Sequence, residues 1–449
     1  MLENKNNYDA IIVGAGISGI LSALILSKNN KKLLVIEKDK NIGGNCRTYE
    51  IDGYHFDTGP HSITGLKNGP LRHLIDNYFS STPSFVPIKT YYVRHQNKFQ
   101  QIPLTLSQLS RFSIFSKKDR IYYSLSVLDA IINSSINKSV LEKDVYSYIK
   151  KYKFSNESIK FIDVLSYFLS GKSMKETPTW RILGGSGYID ENEDTSKQYI
   201  KKLIKLLKHD YSSQGYPLGG IQSITSSAID SIPENKVTFK TGEKVLNFII
   251  KNKQIKGVKT DKDIYHSNLV IYSGFVKDLP DLISNLEAPY KNNLQNIKQT
   301  KSLTLWLGLK KKIPELNYNG TEIYFNSDTP YWAMPVSNFD ANLAPKNKQL
   351  VGFTTILKKD REKQIEDLKQ TIFKVFPNIK NDIEIEHSQV TIPEKAAVTI
   401  GIKFPSPKSP ISGLYLVGTD TDMRSMGITR ASYSVIEALK FIKKDGFLI

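Results

Sequence analysis

The 449-residue sequence contains a single cysteine, Cys46. That count excludes an internal disulfide, a CxxC redox pair and a cysteine-based zinc site, and it suits a reducing compartment. Residues 11–26 come closest to an apolar run that could span a bilayer, yet their glycines and their strand-turn-helix grammar explain them better. Nothing ahead of Tyr8 resembles a basic leader with a cleavage site, so a cytoplasmic chain is expected, at most peripheral on the inner membrane face. Also missing are a Ser/His/Asp order, a metal-ligand cluster and a second GxGxxG that would hold a nicotinamide nucleotide. Acid is in short supply: 44 acidic residues stand against 62 basic ones, a formal charge of +18. Such an excess attracts nucleic acid, anionic lipid or an acidic substrate. Scattered lysines beside many asparagines read equally as compositional bias, and no groove-reading motif or basic-aromatic tract points to nucleic acid.

What is present begins at Tyr8. The run Tyr8 to Val13 reads as a buried parallel strand, and Gly14, Gly16 and Gly19 then spell GxGxxG. Ile20 to Leu26 continues as an apolar helix, and Leu33 to Ile36 forms a second buried strand that ends on Glu37. Gly14 permits the tight turn, Gly16 lets backbone approach a pyrophosphate, and Gly19 lets helix pack on strand. The pyrophosphate then meets free N–H groups at the positive end of the helix dipole. Glu37 falls where a carboxylate accepts from a ribose hydroxyl. Ile17 and Ser18 between the glycines, and Lys38 after the acid, complete this set of expected contacts. The expected ligand is an adenine dinucleotide.

Two further stretches narrow the choice: Ile42-Gly43-Gly44-Asn45-Cys46-Arg47-Thr48 directly after the acid, and Phe56-Asp57-Thr58-Gly59-Pro60-His61. Here the sequence resembles the flavoprotein superfamily of amine oxidases, protoporphyrinogen oxidase, phytoene desaturases with carotenoid isomerases, and UDP-galactopyranose mutase. The resemblance implies FAD, with Gly43, Gly44, Asn45, Arg47 and Thr48 and then Gly59, Pro60 and His61 lying along its ribityl chain and ring. Gly215 to Ile224 resembles the element by which phytoene desaturases return to the cofactor domain, and the resemblance sets Val245 against the adenine. Gly418, Thr419 and Asp420, followed by Gly427 and Ile428 at a helix start, resemble the C-terminal FAD signature. The dipole of that helix would stabilise reduced flavin. Thr419 stands where many relatives carry the acid. His61 and Arg47 are the ionisable residues that the resemblance brings to the ring, as candidates for catalysis or for loop capping. Cys46 is read as a small buried residue, and the FAD is expected to be bound non-covalently.

The length accommodates two cores. The expected fold is α/β: a discontinuous Rossmann-like FAD-binding domain (residues 1–95, 212–274 and 406–449) and an inserted α+β substrate domain (residues 96–211 and 275–405) with a helical lobe. Tyr91–Arg94 with Lys98–Ile102 reads as a hairpin, and helices are predicted over 105–112, 121–132, 144–152, 158–169 and 199–207. Strands are predicted over 236–240, 244–251, 254–260 and 269–273, read as an antiparallel meander ending in a buried strand. In Tyr199–His209, Lys201, Lys202, Lys205 and Lys208 face away from an apolar stripe, and Lys117, Lys118 and Arg120 lead into Ile121, Tyr122, Tyr123 and Leu125. Such helices either lie in a membrane interface or turn a solvated lysine face outward. The expected activity is phytoene desaturase-like oxidation, or isomerisation through reduced flavin, of a hydrophobic isoprenoid. An amine oxidase or protoporphyrinogen oxidase-like oxidase and a redox-neutral mutase on a nucleotide sugar are the alternatives.

Overall fold

Five short strands and two buried helices fix the geometry of the cofactor half. The computed structural model describes residues 6–59, 62–96, 98–103, 105–136, 139–183 and 213–448. The strands Ala10–Val13 (β1), Leu33–Glu37 (β2), Val237–Thr241 (β3), Val270–Tyr272 (β4) and Leu414–Leu416 (β5) make one sheet in the order β3-β2-β1-β4-β5. Every neighbouring pair in it is parallel. Strands of this kind are buried on both faces, and β1, β2, β4 and β5 accordingly read as unbroken apolar runs.

The helix Ile17–Lys28 (α1) carries ten buried residues and is apolar nearly all round, as a helix enclosed on every side must be. It shares one apolar cluster with the sheet and with the C-terminal helix Gly427–Lys444 (α2), through Leu21, Leu24, Val435, Ala438 and Ile442. Each such valine, leucine or isoleucine side chain contributes roughly 1.5–3 kcal/mol on burial. At Gly19 a Cβ would stand 2.0 Å from the Gly14 carbonyl oxygen, so only glycine lets α1 sit this close to its strand.

The other half is built on a seven-stranded sheet. Its order is Ile383–Thr391, Ser302–Leu309, Gln349–Ile356, Tyr331–Met334, Gly320–Tyr324, Thr90–His95 and Lys98–Gln101. Two expectations change here. Residues 90–95, assigned above to the cofactor segment 1–95, pair in parallel with Gly320–Tyr324 and belong to this second sheet. An alternating strand fits either sheet, and nothing in its spacing says which. Residues 236–240 likewise leave the predicted meander: β3 is the parallel edge of the first sheet, and the antiparallel meander is Val245–Lys251, Gln254–Thr260 and Ile264–His266. The hairpin of residues 90–101 forms as expected.

Helices flank the second sheet, including Lys117–Ile136 and Asn156–Ser170. The first starts four residues earlier than its apolar spacing suggested, because Ser116 Oγ accepts from Asp119 N at 3.1 Å and caps it. Its neighbour is capped by Ser155 and closed by Gly171 in the left-handed region. The expected helix over 199–209 with its four lysines, the glycine-rich loop 184–187, and Pro60 and His61 lie outside the described residues. No helix among the described residues is long and apolar enough to cross a membrane.

Candidate cofactor and active site

The turn from β1 into α1 is the floor of the site. Gly14 has φ +101°, and the N-cap Gly16 offers no side chain to the first turn of α1. A Cβ added at Gly16 would meet no protein atom within 4 Å, so the backbone there faces open space, which suits approach by a ligand. Ser18 is buried beneath the turn and Ile17 is half-buried beside it. Glu37 reaches back from β2 and its Oε2 accepts from Ala15 N at 2.7 Å. Lys38 stands exposed. Gly43 N donates to Ala15 O at 2.8 Å, and a Cβ on Gly44 would come within 3.1 Å of Gly16 Cα, which brings the second glycine pair against the first loop. Val245 lies beyond Glu37, whose carbonyl accepts from Glu243 N at 3.0 Å.

The second loop forms one wall. Asp57 is wholly buried and accepts from Tyr216 Oη at 2.6 Å, Thr48 Oγ1 at 2.6 Å and Ile221 N at 3.0 Å. Burial still pushes its carboxyl up to about 6, against those three bonds. Tyr216 belongs to the Gly215–Ile224 element, so Asp57 clamps two of the sequence motifs together. Gly220 shows how tightly: a Cβ there would lie 2.4 Å from Thr48 Oγ1. Gly59 has φ +131°, a conformation that side chains disfavour.

Asn45, Arg47, Tyr49, Phe275, Gln389 and Thr391 border a cavity of about 580 Å³ between this loop and the strand Ile383–Thr391. The buried Nε of Arg47 has no hydrogen-bond partner there. Tyr49 Oη lies 2.7 Å from His387 Nε2 and 2.9 Å from Gln389 Oε1, and Gln389 Nε2 donates to Asp57 O at 2.6 Å. Burial first, and Arg361 second, hold the His387 imidazole below its ordinary value, which favours its neutral form.

The third wall is the start of α2. Gly418 has φ +153°, and Thr419 Oγ1 accepts from Lys395 N at 2.8 Å. Asp420 is fully buried: its Oδ2 accepts from Val276 N at 2.8 Å while Oδ1 has no partner. Gly427 begins the helix, again with no protein atom within 4 Å of where its Cβ would stand, and Ile428 is buried behind it. Gly14, Gly16, Gly19, Glu37, Gly43 and Gly44 thus gather at the turn from β1 into α1, Asn45 and Arg47 border the cavity, and Gly418, Thr419 and Gly427 lie at and before the start of α2.

Sequence reading gave no role to the segment Ile392–Ala396, which joins the Asn45 loop, the C-terminal end of β4 and the start of α2. Asn45 Nδ2 donates to Ile392 O at 2.6 Å, and Lys395 Nζ donates to Ser273 O at 2.6 Å and Gly274 O at 2.9 Å, at the C-terminal end of β4. Burial lowers the Lys395 ammonium below its ordinary value, and Asp420 and Glu37 oppose that shift. No glycine motif or period marks the segment, so only the fold reveals it. Arg47 Nε, Ser273 Oγ and Asp420 Oδ1 are buried without partners, and a Cβ added at Gly16 or Gly427 would meet no protein atom within 4 Å. These residues suit a long, polar, anionic group such as a flavin dinucleotide.

The model of an NAD(P)-binding Rossmann-like domain matches residues 12–78. A prolycopene isomerase from Daucus carota is 24% identical over 99% of this chain and 81% of its own. The chain is similar to the FAD-dependent amine oxidase and phytoene desaturase-like superfamily. An uncharacterized protein from the nifH2 3′ region of Methanothermococcus thermolithotrophicus is 48% identical over 22% of this chain and 94% of its own. The crystal structure of an oxidoreductase from Methanosarcina mazei shares the fold, with TM-score 0.79 at 20% identity over 96% of this chain and 99% of that one. The chain is an oxidoreductase, a phytoene desaturase-like flavoenzyme with a flavin-type cofactor.

Proposed function

We propose that the chain binds FAD non-covalently and uses it to oxidise, or to isomerise through reduced flavin, a hydrophobic isoprenoid taken up at a membrane surface. The observation that carries the reading is the unpartnered Arg47 Nε on the cavity between the Asn45–Thr58 stretch and the strand Ile383–Thr391. A bound flavin supplies hydride acceptance, and the protein supplies orientation and exclusion of water. Gly14 to Gly19 and Glu37 would hold the adenosine diphosphate, and Arg47 with the start of α2 the ring. The Cys46 thiol is buried and pushed up to about 12, so it is a poor nucleophile, which supports non-covalent binding.

The isoprenoid substrate rests on full-length likeness to a prolycopene isomerase. Support for the membrane comes from the helix Lys117–Ile136: Ile121, Leu125, Leu128 and Ile132, at i, i+4, i+7 and i+11, are 60%, 48%, 38% and 51% exposed. Lys117 and Lys118 stand exposed at the same end as Ile121. An apolar stripe with cations at its edge suits an anionic lipid surface. Lys301 and Arg47 both border the cavity and favour one second reading, a substrate with an anionic or polar head.

Anaerobic flavin absorbance during addition of a carotenoid polyene in liposomes, a porphyrinogen, an amine panel and UDP-galactose tests the proposal. Bleaching by the polyene alone is the expected result for net oxidation. Polyene turnover only after chemical reduction of the flavin is expected for isomerisation. Bleaching by a porphyrinogen or amine instead would overturn the isoprenoid assignment.

A further inference from the structure

Positive charge without a matching acid borders the cavity of about 580 Å³. Arg47 and Tyr49 stand on its cofactor side. Lys301, Gln389, Val390 and Ile392 stand on the side of the second sheet, where Lys301 precedes Ser302, the register partner of Thr391. Other lysines around this sheet meet acids: Lys348 lies 2.6 Å from Glu384, Lys369 2.7 Å from Glu386 and Lys311 3.2 Å from Asp382. Among the described residues Lys301 meets no acid, and none lines the cavity. Asp57, beside the lining residue Thr58, already accepts from Thr48, Tyr216 and Ile221. A concave surface with cations and no acid concentrates anions.

The polar groups between the two elements are engaged with one another. Gln389 Nε2 donates to Asp57 O at 2.6 Å, which orients the amide so that Oε1 accepts from Tyr49 Oη at 2.9 Å. Tyr49 has one hydroxyl hydrogen, so His387 Nε2 is the donor in its 2.7 Å contact with Tyr49 Oη. Tyr49 and Gln389 thus form a fixed, neutral face, and selection by charge falls to Arg47 and Lys301. These two differ in depth. Arg47 is half-buried, with its Nε wholly enclosed, whereas Lys301 is exposed beside Val390, itself 37% exposed.

We propose that Lys301 is a specificity-determining residue of the cavity: it pairs with an anionic oxygen group, a carboxylate or a phosphate, at the end of the isoprenoid, whose apolar body lies against Phe275, Val390 and Ile392. The inference rests on the isoprenoid reading above and leaves Arg47 to the flavin. It makes the substrate an amphiphile with its charged end toward solvent and its hydrocarbon toward the inner part of the cavity.

The test is calorimetric titration of the purified protein, at low salt and neutral pH, with farnesoic acid, methyl farnesoate, farnesyl phosphate and farnesol, and with straight-chain lauric acid. Farnesoic acid or farnesyl phosphate is expected to bind about fivefold more tightly than the uncharged probes, the scale of a half-open ion pair, and added salt is expected to narrow the gap. The tighter of the two anions identifies the group. K301Q is expected to bring charged and uncharged probes within about twofold of each other while methyl farnesoate keeps its wild-type affinity, and K301R to retain the gap. A merely structural lysine would not distinguish acid from ester. Equal binding of acid, phosphate and ester by wild type, or a gap that survives in K301Q, overturns the inference and leaves the isoprenoid reading standing. Lauric acid binding as tightly as farnesoic acid, with the charge gap intact, overturns the isoprenoid reading and leaves the anion subsite standing. Failure of every probe to bind overturns both.

Discussion

Two helices begin at the glycine motifs of the cofactor half, and each start is met by a glutamate. At α1 the glutamate is Glu37, which accepts from Ala15 N and leaves the first turn itself without a side-chain cap. At α2 it is Glu394, which takes the N–H of the first helical residue. Glu37 lies at the end of a strand whose position the βαβ unit dictates, and Glu394 is 33 residues from Gly427 on a segment without regular structure. The difference teaches that a helix dipole can be held ready for a ligand or answered from within the chain, and that only the first arrangement leaves a sequence motif.

Substitutions within α1 give the largest expected effects and separate packing from ligand approach. Gly19→Ala forces a methyl against the Gly14 carbonyl at 2.0 Å, and the strand or helix must shift, at a cost of about 3 kcal/mol or more. Thermal denaturation of the apoprotein should show a large fall in Tm. Gly16→Val should leave that Tm nearly unchanged, because no protein atom lies within 4 Å of its Cβ position, while FAD affinity falls at least ~100-fold through blocked pyrophosphate approach. A purified G16V variant with a full yellow flavin spectrum would refute the assignment of the floor.

Asp57 is a third carboxylate, and it sharpens the comparison because it meets the N-cap residue Ile221 of the helix Gln222–Asp230 while two hydroxyls, from Thr48 and Tyr216, share it. Its folded value near 6 is raised above the ordinary carboxylate value of 3.8, so the folded state favours the protonated acid. The associated stability is fully present below the unfolded value and is lost as pH rises through about 6. Two units correspond to about 3 kcal/mol. Asp57→Asn should remove this component, so the difference in stability between wild type and variant, followed by denaturant unfolding from pH 4 to pH 7, should change in that direction. A difference that stays flat over the window would show that the Thr48, Tyr216 and Ile221 donors outweigh burial.

The reach of sequence reading follows the same division. The β1–α1–β2 unit, Asp57, the Gly215–Ile224 turn and the start of α2 were legible because each needs particular residue types at fixed spacing. Tyr49, His387 and Gln389 were not, since they meet only when the strand Ile383–Thr391 packs beside the Asn45–Thr48 loop. The placement of residues 90–95 and of β3 failed for a related reason: short alternating strands carry no label for their partner, and partner choice is a property of the whole sheet.

The smallest expected effect concerns the exposed stripe on Lys117–Ile136. Replacing Ile121 and Leu128 with serine should reduce co-sedimentation with anionic liposomes several-fold, with little change in Tm, because both side chains are already largely in solvent. Equal sedimentation of wild type with anionic and neutral vesicles would count against the membrane part of the proposal.

The most direct test of the whole account is to denature the purified protein and assay the supernatant and the precipitate for flavin. Stoichiometric FAD, free in the supernatant, is the expected result and joins the cradle to its ligand without a covalent link. Absence of FAD from a protein that also fails to take it up, or flavin that stays with the precipitate, would contradict it.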